Sequence, residues 1–318
     1  GRMLQKRPYI PRNIERARSY DWTSRNFMGL AYLDGKKPSL LMQRGNYGII
    51  KIEAVDKNLN TEWLFETTGE NEKYWGNGGH NIRIADIDGD GKDEILPGPF
   101  ALDNDGKGLW CLGLLHNDGG EVCDIDPERP GLEVFYNMES RSARNGVCIV
   151  DAATGEYLME YDEPSDHIHD QATIADWDPA HPGMEIWCGP DRSDPAQRTF
   201  LFSAKGERLS ESFRMPGSPV WWDDDEYKEL VGGGKVFKFG GDTIQRDIPG
   251  GIVVDLLGDW REEIISCPQG EIRVYSSTIP AANRKVCLMQ DHQYRMGVAS
   301  LSVGYSTSPI LGRNHSRP

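Results

Sequence analysis

The chain contains no run of 18 apolar residues, so no membrane-spanning helix is expected. Gly1, Arg2 and Met3 lead into no apolar stretch of the kind that marks a secretory signal. Basic residues are in deficit. The 35 Lys and Arg face 50 Asp and Glu, a formal net charge of -15, and a surface of that sign repels a phosphate backbone, which excludes nucleic acid as a partner. Cys111, Cys123, Cys148, Cys188, Cys267 and Cys287 form no CxxC pair. Four of them sit in apolar strand-like runs, so most are expected to be small buried hydrophobes and not a zinc site or a disulfide scaffold. Also missing are GxSxG, GxxxxGK[ST] and HExxH, which leaves acyl transfer, nucleotide hydrolysis and zinc-peptidase chemistry without support. The run Gly232-Gly233-Gly234-Lys235 lacks phosphate-loop spacing and reads as a hairpin.

Glycine and proline are plentiful. With 36 and 19 copies they exceed a sixth of the 318 residues, beside nine Trp and twelve Tyr. That composition suits many short strands joined by tight turns, hence an all-β chain. One phrase recurs: residues 84–95 (IADIDGDGKDEI), 122–134 (VCDIDPERPGLEV) and 174–186 (IADWDPAHPGMEI), with fainter copies at 31–41, 220–230 and 254–264. In each, an apolar strand runs into an Asp-rich turn, and a later apolar position opens the next strand, preceded in most copies by Glu. The copies start roughly 34 to 54 residues apart, the period of a propeller blade. The expected architecture is a single β-propeller domain over residues 1–318, seven-bladed by preference over six or eight. The seventh unit would be a last apolar strand at 295–303, completed by Lys6 to Ile10.

Asp86, Asp88, Asp90, Asp93 and Glu94 crowd five carboxylates into nine residues, a density that points to a hard cation, Ca²⁺, held by short oxygen contacts. Asp103 and Asp105 form a weaker candidate of the same kind. No flanking helices are readable, which rejects an EF-hand. Histidine is scarce, seven in all, yet His80, His116 and the pair His167 and His169 each fall just before a repeat strand in consecutive units. That places imidazoles together at the start of the innermost strands, as bases or as metal ligands.

At residues 79–95, 124–135, 258–264 (GDWREEI) and 291–295 (DHQYR) the chain resembles the rhamnogalacturonan lyases of polysaccharide lyase family eleven, with the match running from Phe27 to Tyr305. The resemblance implies a calcium-dependent β-propeller, usually eight-bladed, secreted or periplasmic, that cleaves a rhamnose- and galacturonate-containing polysaccharide by β-elimination. The family's HGDALH motif reads HNDGGE from His116 here, its NGTK segment is replaced near Asp242 to Arg246, and its arginine before the third DxDP unit becomes Gln171. Two further DxDGDG units and a leading β-sandwich usual in the family are not in this sequence, which looks like a shortened propeller.

Elimination at a uronate needs a charge that neutralises the carboxylate, a base for H-5 and an acid for the leaving oxygen. The residues that fit are His80 or His116 as base, His169 or Tyr294 as acid, and Ca²⁺ or Arg295 as neutraliser. Asn81, His167 and Trp222 are expected to bind sugar. Two other readings stay open: a related lyase or glycosidase using histidine chemistry on another rhamnose and uronate glycan, and a non-catalytic glycan-binding propeller. The expected partner is a polysaccharide or oligosaccharide, with no nucleic acid or membrane, and a monomeric chain.

Overall fold

The computed structural model describes residues 1–13, 19, 21–139, 146–161, 168, 172–190, 194–282, 286–305 and 307–312. Among them the chain is all-β apart from short helical segments, and its strands form six antiparallel sheets taken up one after another along the sequence. We number these sheets I (residues 26–66), II (83–111), III (117–161), IV (173–210), V (218–246) and VI (252–275). The first five have four strands and sheet VI has three.

Each of sheets II to VI repeats one local device. The Glu that opens the second strand folds its carboxylate back under the preceding turn. Glu94 accepts from Ile87 N at 2.9 Å, Glu133 from Ile125 N at 2.8 Å, Glu185 from Asp178 N at 2.9 Å, Glu229 from Trp222 N at 2.9 Å and Glu263 from Leu256 N at 3.0 Å. Each of these glutamates is buried. The turn's amides, which a helix or ladder would otherwise satisfy, are thus satisfied by a buried side chain, and the register of the first two strands is fixed. This is the physical reason for the repeated phrase.

The core lies between neighbouring sheets. Val134 and Tyr136 face Leu96 and Ala101 of sheet II, whereas Phe135 between them faces Ile174, Ile186 and Phe202 of sheet IV. Period-two alternation therefore buries both faces of the strand. Parallel clusters join sheets I and II (Phe27, Leu41, Ile84, Phe100), IV and V (Trp177, Leu201, Leu230) and V and VI (Trp222, Val236, Val253, Ile264). Gly29 is needed for the first of these: a Cβ there would stand 2.5 Å from Ile84 Cδ1.

The residues assigned to a seventh unit do something else. Residues 295–303 are not a strand. They belong mostly to a helix, His292–Ser300, whose Asp291 N-cap accepts from Tyr294 N at 2.8 Å and which packs on the first strands of sheets I and II. Lys6 to Ile10 lie on sheet I, where Arg7 pairs with Glu53 at 2.6 Å and Ile10 packs on Met42 and Val55. After the helix the chain continues along the first strands of the sheets. Tyr305 N donates to His80 O at 3.0 Å, the Thr307 hydroxyl bonds to Glu121, and Leu301, Thr307 and Ser308 line a small cavity with Thr173, Ser218 and Val253. Because Asp291 also holds Gly312 N at 3.0 Å, Asp291→Ala is expected to cost about 1 kcal/mol of stability, the usual worth of an N-cap, read by urea denaturation.

Candidate functional site

In an antiparallel sheet the start of the first strand and the end of the second lie at the same end. Arg25 precedes the first strand of sheet I, Asn26–Ala31, and Tyr47 follows its second strand, Ser39–Arg44; His80 precedes Arg83–Ala85 of sheet II. His116 and Asp118 flank the start of Asn117–Cys123 in sheet III, and Glu139 follows Glu133–Met138. The repeat thus brings six chemistry-bearing side chains from three sheets to one end of the molecule, with the Asp-rich turns at the other.

His80, His116, Asp118 and Glu139 converge, each offering one ligand atom within 4.8 Å of the others. Arg25 donates to His80 Nδ1 at 2.7 Å. A guanidinium has no lone pair to give, so Nδ1 is the acceptor and the proton of the neutral ring sits on Nε2, 3.2 Å from Asp118 Oδ1. Burial, the largest influence, keeps the His80 pKa below its ordinary value, and Asp118 only partly opposes this. His116 has the other tautomer. Its Nδ1 bonds to the Gly78 carbonyl, so Nε2 carries a lone pair, and it faces Glu139 Oε2 at 3.1 Å and Asp118 Oδ1 at 3.8 Å. Three electron-rich atoms converging in a largely buried place call for a positive charge between them. Nδ1–H anchored on a carbonyl is how a metal-ligating histidine is commonly oriented, and the set fits a divalent ion.

Aromatic rings surround this group. Tyr47 lies 4.0 Å from His116 centroid to centroid, Tyr305 stacks on His80 at 4.3 Å and 25°, and Trp22 reaches Trp75 at 5.8 Å and Tyr47 at 6.3 Å. Such faces suit the apolar side of a sugar ring. The Tyr47 hydroxyl donates to Glu139 at 3.2 Å and stands 3.2 Å from His80 Nε2. Burial first, then the Glu139 carboxylate, raise its pKa and keep it protonated.

The other residues singled out from the sequence are distributed as follows. His167, His169 and Gln171 lie outside the described residues. Asn81 is buried and donates to Gly120 O and Tyr305 O at 3.4 and 3.3 Å. Trp222 is a core side chain, 2 % exposed between sheets V and VI, so stacking on a sugar is not open to it. Tyr294 is fully buried, its hydroxyl donating to Glu262 at 2.9 Å and accepting from Asp255 N at 2.8 Å. Both bonds are structural, and Tyr294 is not part of the histidine group. Arg295 clasps Met289 O and Gln290 O, each at 3.0 Å, and contacts His292, which in turn holds Asp93 at 2.6 Å.

Of the acidic candidates, Asp86, Asp88 and Asp90 do converge, within the same 4.8 Å limit. Glu94 lies beneath them, its pKa pushed up to about 8 chiefly by burial and further by these three carboxylates. Asp93 faces away, its two oxygens taken by His292 and by Tyr32 N at 2.6 Å. Asp103 and Asp105 fall in the hairpin beyond, with Asp105 bound to Lys107 at 2.5 Å. A cleft of about 590 Å³ opens at this turn end, lined by Asp86, Asp88, Asp124, Arg129 and His292. The six cysteines are free thiols; Cys123, Cys148 and Cys188 are buried, but Cys111 and Cys287, though in apolar runs, are only half-buried and Cys267 is exposed, so burial holds for three of the six.

Arg25, Tyr47, Glu139, Trp22, Trp75 and Tyr305 were not marked by any motif. The signal that could have found them is position: the residues just before a first strand and just after a second strand share one end with the histidines.

Residues 17–314 match the family described as rhamnogalacturonan lyase family 11, C-terminal domain. The chain is 36% identical to the rhamnogalacturonan endolyase YesW of Bacillus subtilis, over 94% of this chain and 52% of that protein. It is 34% identical to the exolyase YesX of the same organism, over 91% and 53%. It also resembles the crystal structure of YesW (TM-score 0.81, 34% identity, 96% of this chain and 56% of that one) and a Bacillus licheniformis lyase of the family (0.81, 32%, 94% and 55%). The chain spans about half the length of the curated relatives it matches.

Proposed function

Because the chain belongs to rhamnogalacturonan lyase family 11, we propose that it cleaves a rhamnogalacturonan-type polysaccharide by β-elimination at the end of the molecule that carries His80, His116, Asp118 and Glu139. The observation that carries this reading is the buried junction of His116 Nε2 with two carboxylates beside an Arg–His–Asp chain. Arg25 is the residue placed to meet a uronate carboxylate. In leaving His80 Nδ1 for the substrate it would free that lone pair, and Nδ1 becomes the base for H-5. Asp118, already on Nε2–H, steadies the imidazolium that forms, as a carboxylate does behind a catalytic histidine. Tyr47, held protonated, is the donor available to the leaving oxygen, the part that His169 or Tyr294 was expected to play.

His116, Asp118 and Glu139 are the residues that would hold a divalent cation here, and Asp86, Asp88 and Asp90, an all-oxygen set, are those that suit Ca²⁺. When bound at the histidine group, the ion adds positive charge that stabilises the carboxylate as H-5 leaves. The six sheets, each packed face to face on the next, are read as blades of one propeller domain whose first strands line its axis. An extracytoplasmic protein acting on a polymer outside the cell is consistent with that substrate.

The test is direct. Purified protein with calcium is mixed with rhamnogalacturonan and followed at the absorbance of unsaturated uronates, with product masses measured alongside. A rise, with one product end lighter by one water than hydrolysis gives, supports elimination. A hydrolysis mass indicates a glycosidase, and binding without turnover indicates a glycan-binding propeller; either sinks the lyase reading.

A further inference from the structure

The five buried turn glutamates differ in what meets their second oxygen. Among the described residues, Glu94 Oε1 and Glu185 Oε1 are buried and meet no hydrogen-bond donor, and Glu263 is met by no cation. Glu133 Oε1 is met by Arg129 at 3.1 Å, and Glu229 Oε1 by Lys238 at 2.5 Å. Lys238 does more than Arg129. Its ammonium also bonds Asp223 at 2.6 Å and Asp225 at 2.5 Å, and Asp223, Asp225 and Glu229 lie close enough together to ligate one ion. Three carboxylate oxygens at 2.5 to 2.6 Å from one positive centre fall at the distances of about 2.3–2.6 Å that calcium sets.

Strand register shows where this cation comes from. In sheet III, Glu133 pairs with Asp151 of the third strand. One step beyond the last pairs of the other sheets (Ile95 with Leu102, Ile186 with Phe202, Leu230 with Phe237, Ile264 with Tyr275) the residues opposite the turn glutamate are Asp103, Ser203, Lys238 and Ser276. Four sheets place a carboxylate or a hydroxyl there, and in sheet III the positive charge comes instead from the turn itself, where Arg129 bridges Glu133 at 3.1 Å and Asp151 at 2.8 Å. Sheet V alone of these places an ammonium.

We infer that Lys238 occupies the cation position of the turn in sheet V, so that this turn is closed without a metal, and that removing the ammonium converts Asp223, Asp225 and Glu229 into a divalent-cation site. A short stem anchored in the hairpin, with Lys238 N on Asp242 O at 3.0 Å, delivers the charge at no cost in free ion. The turn is then insensitive to chelation. In Lys238→Gln the carboxylates of Asp223, Asp225 and Glu229 face one another with Glu229 buried, and an ion must replace the lost charge.

Wild type and Lys238→Gln are stripped with EDTA, dialysed against calcium and assayed for bound ion per chain, then titrated with Tb³⁺ while luminescence excited through tryptophan is followed. The variant is expected to hold one more calcium per chain than wild type. Its added Tb³⁺ signal should be abolished by a further Asp225→Asn change, and Lys238→Arg should keep the wild-type count. Equal counts in the two proteins overturn the inference, as does a wild type that loses an ion on Asp225→Asn. If Lys238→Gln does not fold without metal, millimolar calcium must restore its circular dichroism; failure to do so also overturns it.

Discussion

Replacing His80 by alanine is expected to lower turnover on rhamnogalacturonan by about 10³-fold, within the range a positioned general base supplies. The ring is neutral at neutral pH because burial holds its pKa below the ordinary value, so no proton need be lost before it can act. Its Nε2–H faces Asp118 at 3.2 Å, and its Nδ1 accepts from Arg25 at 2.7 Å, a group that a substrate carboxylate competes for. The loss should fall on kcat, with KM changed little. His116→Ala separates two roles, since it should lower bound metal as well as turnover, whereas His80→Ala keeps a cation on His116, Asp118 and Glu139. Rates are read from the unsaturated-uronate absorbance, with circular dichroism to confirm folding. Retention of more than a tenth of wild-type turnover in His80→Ala would show that the base lies elsewhere.

The largest effect on stability is expected at Glu262. This carboxylate is fully buried and accepts from Trp221 N at 2.9 Å, from Lys228 Nζ at 3.0 Å and from the Tyr294 hydroxyl at 2.9 Å. It thereby ties the turn of sheet V to the turn of sheet VI and to the helix His292–Ser300. Lys228 is itself buried, so Glu262→Leu leaves an ammonium without a counter-charge and should cost about 3–5 kcal/mol in urea denaturation. The double variant Glu262→Leu with Lys228→Met should recover a large part of that loss, because no unpaired charge remains. A single variant within 1 kcal/mol of wild type would mean that the pair contributes nothing beyond its surroundings.

The turns were legible in the sequence because their chemistry is local: Asp, then Gly or Pro, then the Glu that folds back, all within about a dozen residues. His80 and His116 were legible for the same reason, each sitting just before the first strand of a repeat unit. Tyr47, Glu139 and Arg25 carry no such mark, since what joins them to the histidines is the packing of sheets I, II and III. Residues 295–303 misled through composition. Val298, Leu301 and Val303 suit a strand, yet the burial of Tyr294, Met296 and Ser300 belongs to a helix, and the Asp291 N-cap was the available sign. Trp222 misled through position, beside an Asp-rich turn, although its ring points into the core between two sheets.

Residues 301–305 and 307–311 bear on how the protein is made. These residues emerge from the ribosome after all six sheets, yet they bond to the first strands of sheets II and III, line a cavity with those of sheets IV to VI, and set Tyr305 against His80. Each sheet can pair its own strands as it is synthesised, since those pairings are close in sequence. The histidine end cannot take its final form until translation has passed Tyr305. A nascent chain stalled before that point is expected to hold folded sheets and no finished site, so assembly of the site is the last folding event and not the first.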